Sequence, residues 1–221
     1  MTSTKTISCL ILGGGGHSKV IVESFQSCGA TESLGILDID RSLWGKKVLG
    51  VPVLGGDELL AKLILQGTTH FVVGLGSVGD NTPRKILFDL AIKQGLIPIN
   101  AVHNSANCSP SAKLGGGSVM LPASVVNAQA LVGANVIINT GAIVEHDCII
   151  ADHVHVATGA RLCSTVQVGE GAHIGAGATV RQGIKIGSHA IVGMGAVVVK
   201  NVEPNTTVVG IPARPKAAKA K

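Results

Sequence analysis

The stretch from Asn139 to Thr158, NTGAIVEHDCIIADHVHVAT, gathers the side chains best suited to proton transfer. His146 stands between Glu145 and Asp147. An imidazole titrates near neutrality, and a carboxylate beside it orients the ring and raises its basicity. His155 and His173 follow on a regular spacing. Each of these residues also has a plainer reading. For His146 it is a solvated corner residue, for His155 packing in a subunit interface, for His173 a surface residue, for Asn139 an ordinary turn residue and for His153 a structural role. A zinc site would need three converging ligands. The spacing of His146, His153, His155 and His173 puts no three around one point, so no metal is expected and a carbonic-anhydrase-like metalloenzyme is a distant alternative. Cys148 reads as core, and Cys163 takes no role.

A second cluster opens the chain. The apolar run Ile7 to Leu12 is followed by Gly13-Gly14-Gly15-Gly16-His17 and then by a helical pattern from Ser18 to about Cys28. A strand that turns through glycines into a helix presents free backbone N–H groups, which bind phosphate well. Asp38 closes a second apolar run, Leu34 to Leu37, at about the distance a dinucleotide fingerprint requires. Ser18 occupies the place of that fingerprint's third glycine, and the segment is half the length of a full dinucleotide fold. The reading is a grip for a nucleotide diphosphate, with a plain tight turn or a true NAD site as alternatives.

These residues need elements to hold them. Cut into sixes from Ser109, the chain gives fifteen blocks, from SPSAKL to GMGAVV, each ending in an aliphatic residue: Leu114, Met120, Val126 and so on to Val198. Fourth positions, Ala112 to Ala196, are small or aliphatic. In a strand, positions four and six face one side and position five the other. A period of six fits a parallel β-helix with three short strands per coil of about eighteen residues. Position five, which holds His155 and His173, is expected to point outward. The front hundred residues alternate strands with helices: a helix near Gly56 to Gln66, a strand at His70 to Val73 and a helix from about Pro83 to Lys93. That alternation implies a small Rossmann-like α/β domain with a parallel sheet. The boundary is set at polar Asn100 to Ser109, giving domains 1–105 and 106–221.

Composition agrees. Hydrophobic residues are 46%, aromatics 2%, charged residues 14%, and there are 30 glycines among 221 residues. Base stacking needs aromatic platforms, so nucleic-acid binding is not expected. The net charge of +5 is concentrated at the end, in Arg214, Lys216, Lys219 and Lys221, as a solvated tail or an attraction for an anionic ligand. Five cysteines without CxxC spacing point to reduced thiols and the cytoplasm. The N-terminal apolar run is too short for a signal peptide. The uncharged stretch Leu114 to Val144 carries Pro122, Asn127, Gln129, Asn135 and Asn139, each costly in hydrocarbon, so no membrane span is expected.

The whole chain resembles the bacterial hexapeptide-repeat sugar acetyltransferases of the sialic-acid O-acetyltransferase type. Within them it is most similar to the N-acetyltransferases of nucleotide-linked 4-amino sugars of the bacillosamine and perosamine kind. The strand and Gly-Gly-His turn, the repeat, the NTGAIVEHD segment and the final GIPAR (Gly210 to Arg214) carry the resemblance. It implies a left-handed β-helix, a homotrimer, acetyl-CoA as co-substrate and His146 as general base with Asp147 as its partner, where many relatives have Glu. It further implies Asn139 in the catalytic set and acetyl-CoA contacts at His155, Ala176 and Gly195. Gly15, Gly16, His17, Asp38 and Gly74 would hold the nucleotide, and His155 or backbone donors would steady the oxyanion. The implied reaction is acetylation of the amine of a nucleotide-linked 4-amino-4,6-dideoxy sugar. O-acetylation of sialic acid or another sugar hydroxyl is the nearer alternative, and a non-catalytic solenoid the more distant one.

Overall fold

The computed structural model describes residues 8–29 and 34–216. Ile7, Lys219 and Lys221 therefore lie outside the described residues. Six strands form the front sheet: β1 (Cys9–Leu12), β2 (Leu34–Leu37), β3 (Lys47–Val48), β4 (Val51–Gly55), β5 (His70–Val73) and β6 (Ile97–Pro98). Their order is β3-β4-β2-β1-β5-β6, parallel except for the β3–β4 hairpin. Helices α1 (Gly16–Ser27), α2 (Leu60–Leu65) and α3 (Thr82–Lys93) complete the domain. The sequence placed β2 and β5 at their observed bounds and the helices to within a few residues. It missed the hairpin and β6. The region of α2 opens with a 3-10 turn, Asp57–Leu59.

Alternation along β1 explains the layering. Cys9 and Ile11 face α1 through Ile21, Val22 and Phe25, while Leu10 and Leu12 face Leu60, Phe88 and Ala91. Ser18, in place of a third fingerprint glycine, is fully buried and donates to the Gly15 carbonyl at 2.6 Å. Its small side chain fits the close packing of helix on strand.

Behind this domain rises the β-helix. Two-residue strands stack in register eighteen positions apart, as in the ladder Val119, Ile137, His155, His173, Ile191. Fourth- and sixth-position side chains fill its core, with no aromatic among them. The ladder begins earlier than the blocks cut from Ser109, because Ala101–Val102 pairs with Val119–Met120 and Asn107–Cys108 with Val125–Val126. Polar Asn100 at a fourth position masks that first rung in the sequence. The other end closes with Thr207–Val209, which pairs back onto Ile191–Val192 and with Arg214–Pro215.

From Gly117 to Gly195 each corner of the coil turns through a positive φ at the third block position, including Asp147 at 59° and His153 at 60°. Left-handed backbone favours Gly, Asn and Asp. The corner therefore accounts for an Asp at position 147 and aims it beside His146.

The front domain docks on one face of the coil. Ala101, Val119 and Leu121 join the core of β1 and α1, and Ala134 joins that of α3. This docking corrects one expectation. His155 and His173 do point away from the coil core, but both are buried, at 6% and 7% exposure.

Candidate active site

A cavity of about 560 Å³ lies where the Gly-rich turn meets the docked face of the coil. Gly16 and His17 line it from the front domain, with Gly76, Ser77 and Val78 from the loop after β5. Asn139, His155, His173, Ala176 and Met194 line it from the coil. Of the residues selected from sequence, Gly16, His17, Asn139, His155 and Ala176 thus share one cavity wall.

The turn divides its glycines by task. Gly74 needs to be glycine for packing, since a Cβ there would collide with the Gly13 carbonyl and with Ile11 Cγ2. Gly13 has φ +107°. Around Gly15 and Gly16 a Cβ would meet nothing within 4 Å, and neither has a positive φ. Asp38 ties the turn to β2: Gly14 N–H donates to its Oδ2 at 2.5 Å and Asp40 N–H to its Oδ1 at 2.7 Å.

Inside the cavity the histidines are neutral. Burial, then His173, His17 and Arg84, pushes His155 down to about 3. Burial and the Arg84 charge likewise hold His17 well below its usual range, and burial lowers His173. His155 and His173 meet edge to face at 4.9 Å. Nε2 of His17 and Nδ1 of His173 are enclosed with no hydrogen-bond partner among the described residues. Buried imidazole nitrogens normally have partners, so these two atoms mark the cavity as a place for a polar ligand.

His155 Nδ1 is 3.0 Å from the Ser77 carbonyl, which can only accept, so Nδ1 carries the proton. Its Nε2 is an acceptor, 3.0 Å from Asn139 Nδ2. An oxyanion donor role for His155 does not fit this tautomer. The amide of Asn139 has a second N–H, and Asn139 lines the cavity.

His146 and Asp147 lie elsewhere. They sit on an exposed corner, with side chains 51% and 49% accessible, and outside the residues lining the cavity. His146 Nδ1 is 2.6 Å from Asp147 Oδ2, so the shorter Asp does reach. Because a carboxylate accepts, Nδ1 carries a proton in this pair, and Nε2 has no partner among the described residues. Gly195 has open space around it, and its N–H donates to Ala176 O at 2.9 Å, one coil below.

Sequence reasoning passed over Ser77, Asn81 and Arg84. Arg84 is 1% exposed and its guanidinium donates to the carbonyls of Val73 and Leu75 and to Asn135 Oδ1 at 2.7 Å. It clamps the ends of β5 to the coil. Neither its contacts nor those of Ser77 leave a periodic trace, because they join residues far apart in the chain. Among the described residues, no three His, Cys, Asp or Glu side chains group closely enough to hold a metal ion. None of their helices is long and apolar enough to cross a membrane.

Residues 8–90 match the family described as PglD N-terminal domain, and residues 165–200 match the bacterial transferase hexapeptide (six repeats). No curated protein sequence matches significantly. Perosamine N-acetyltransferase (PerB) from Caulobacter crescentus, solved with CoA and GDP-perosamine, is 40% identical over 95% of this chain and 97% of its own, with a TM-score of 0.88. A histidine-to-asparagine variant of that enzyme, with the same two ligands, aligns at 39% identity over 96% of this chain and 97% of its own, TM-score 0.88. The acetyltransferase domain of PglB from Neisseria gonorrhoeae, in complex with acetyl coenzyme A, is 35% identical over 96% of this chain and 100% of its own, with a TM-score of 0.87.

Proposed function

The chain belongs to the hexapeptide-repeat N-acetyltransferases of nucleotide-linked amino sugars, and from that premise we propose that it acetylates the amine of a nucleotide-linked 4-amino-4,6-dideoxy sugar with acetyl-CoA. The observation that carries the reading is the shared cavity, which joins a phosphate-binding turn to the coil face bearing Asn139 and His155. A free sugar would have no use for that turn.

The amine reacts as its free base. As the nitrogen adds to the thioester carbonyl, His146 Nε2 takes the proton the nitrogen sheds, and Asp147 holds the resulting imidazolium. The second N–H of Asn139 steadies the oxyanion. The C–S bond then breaks, the amide forms, and coenzyme A leaves as the thiol with the proton His146 returns. Acetyl-CoA lies along His155, Ala176 and Gly195. The nucleotide lies against Gly15, Gly16 and His17, with Asp38 and Gly74 shaping the turn. This reading takes a homotrimer, in which a neighbouring copy brings His146 to the cavity, since one chain holds the two apart. It also takes a cytoplasmic setting, supported by five free cysteines.

The test is thiol release from acetyl-CoA against a panel of UDP-, GDP- and dTDP-linked 4-amino sugars, with the free sugars and sialic acid beside them. Turnover with one nucleotide-linked amine is expected. Turnover confined to hydroxyl acceptors would overturn N-acetylation.

A further inference from the structure

The loop between β5 and α3, residues 74–81, carries a run of hydrogen bonds whose directions are all forced. Asn81 Nδ2 lies 3.0 Å from the backbone carbonyls of both Gly171 and Ala172. Carbonyls only accept, so this side of the amide is its NH₂, and Oδ1 must face Ser77. Since Oδ1 also only accepts, the Ser77 hydroxyl donates to it. The Ser77 hydroxyl oxygen and carbonyl, at 3.1 and 3.0 Å, then receive the Nδ1–H of His155. That leaves His155 Nε2 bare to accept from Asn139 Nδ2 at 3.0 Å, while Asn139 Oδ1 accepts from Thr140 N–H at 2.7 Å. Asn81 is 3% exposed, so water has little room to replace any partner at that end.

The geometry points to Ser77 and Asn81 as positioning residues for acetyl transfer: front-domain side chains that anchor the loop on the coil, so that the Ser77 carbonyl and hydroxyl together hold the His155 proton on Nδ1 and, with the Thr140 N–H, keep the amide of Asn139 aimed. This rests on the reading that Asn139 and His155 serve the reaction. Neither Ser77 nor Asn81 needs to act on the reacting atoms, because their effect passes through His155. If the His155 proton moved to Nε2, two donors would face each other at Asn139, and the amide would have to turn away.

Imidazole ¹⁵N NMR of the full chain reads the tautomer directly, and steady-state kinetics read its consequence. The wild type should show His155 protonated on Nδ1 with Nε2 bare. Asn81→Ala and Ser77→Ala should raise the Nε2-protonated population and lower kcat by about three- to tenfold, the value of roughly one net hydrogen bond. The KM for the amino sugar should hold. Ser77→Thr, which keeps the hydroxyl, should restore both readouts. An unchanged tautomer in both alanine variants would overturn the inference, and so would a shifted tautomer with unchanged kcat. Should Asn81→Ala fail to fold, the Ser77→Ala and Ser77→Thr pair decides alone. Full turnover in His155→Ala would instead sink the reading of His155 in catalysis, and the tautomer result would stand apart from it.

Discussion

His146 and His155 both carry their proton on Nδ1, yet their surroundings divide their work. His146 is half exposed, its Nδ1–H is held by Asp147, and its Nε2 has no partner among the described residues. In His155 the Nε2 lone pair is engaged by Asn139 and the ring is buried, so it cannot serve as the base near neutrality. General-base action is worth about 10² to 10⁴ in rate, and His146→Ala should lose roughly that factor in kcat while its size-exclusion profile stays that of the wild type. Near-normal turnover would remove His146 from the role. Burial gives His155 a second consequence. The unfolded chain protonates this ring below about 6.5, the folded chain only near 3. Its contribution to stability is therefore full above 6.5 and drains away as the pH falls toward 3, reaching a loss of about 2 kcal/mol at pH 5. Urea unfolding at pH 7 and pH 5 should show His155→Gln losing about 2 kcal/mol less than the wild type over that interval. Equal losses would mean that the ring titrates alike in both states.

The Gly-rich turn shows how one element separates fold from function. Gly15→Ala adds a methyl to open space at an ordinary φ, so stability should stay within about 0.5 kcal/mol, while the KM for the nucleotide sugar rises as the backbone is kept from the phosphates. Gly74→Ala drives a methyl into Gly13 and Ile11 and should destabilise by about 1–3 kcal/mol. Thermal unfolding beside kinetics separates the two, and equal stability losses would contradict the division. In the coil, Ile174→Ala would open a cavity between rungs that each bury the next, at a cost of about 2–5 kcal/mol by denaturant titration. These elements were legible in the sequence because their physics is local. An aliphatic residue every six positions stacks on its own kind eighteen residues later, and β2 and β5 show as short apolar runs between polar residues. The β3–β4 hairpin was not legible, since its strands are short and hold Pro52 and polar Lys47. Nor was the burial of His155 and His173. Alternation says that position five leaves the coil core but not what covers it, and the cover comes from residues 77 to 88, set by contacts such as Ser77 to His155 and Arg84 to Asn135.

At the scale of the molecule, the front domain and the coil share a core through Val119 and Leu121, so the cavity between them is a fixed wall rather than a cleft between loose bodies. Arg84 reinforces it. Its guanidinium is buried, burial works against its charge, and its hydrogen bonds go to carbonyl oxygens on both sides of the junction. Yet this well-held wall contains Asn139 and His155 without His146 and Asp147, which stand on an exposed corner of the same chain. The motif NTGAIVEHD shows the residues in one line, but their separation in space follows from the coil, which carries Asn139 and His146 to different corners. A cyclic homotrimer resolves this if each cavity takes its base from the next copy, and such a heterologous interface closes on itself. The arrangement makes a quantitative prediction. Co-expressed His146→Ala and Asn139→Ala chains, each inactive alone, would assemble at random into mixed trimers. A site works when its cavity chain keeps Asn139 and its neighbour keeps His146, a chance of one half times one half. The whole co-expressed population should therefore recover roughly a quarter of wild-type turnover per site, with about one working site in three in each mixed trimer. If cavity and base came from the same chain, every site would contain one lesion or the other, and mixing would recover nothing.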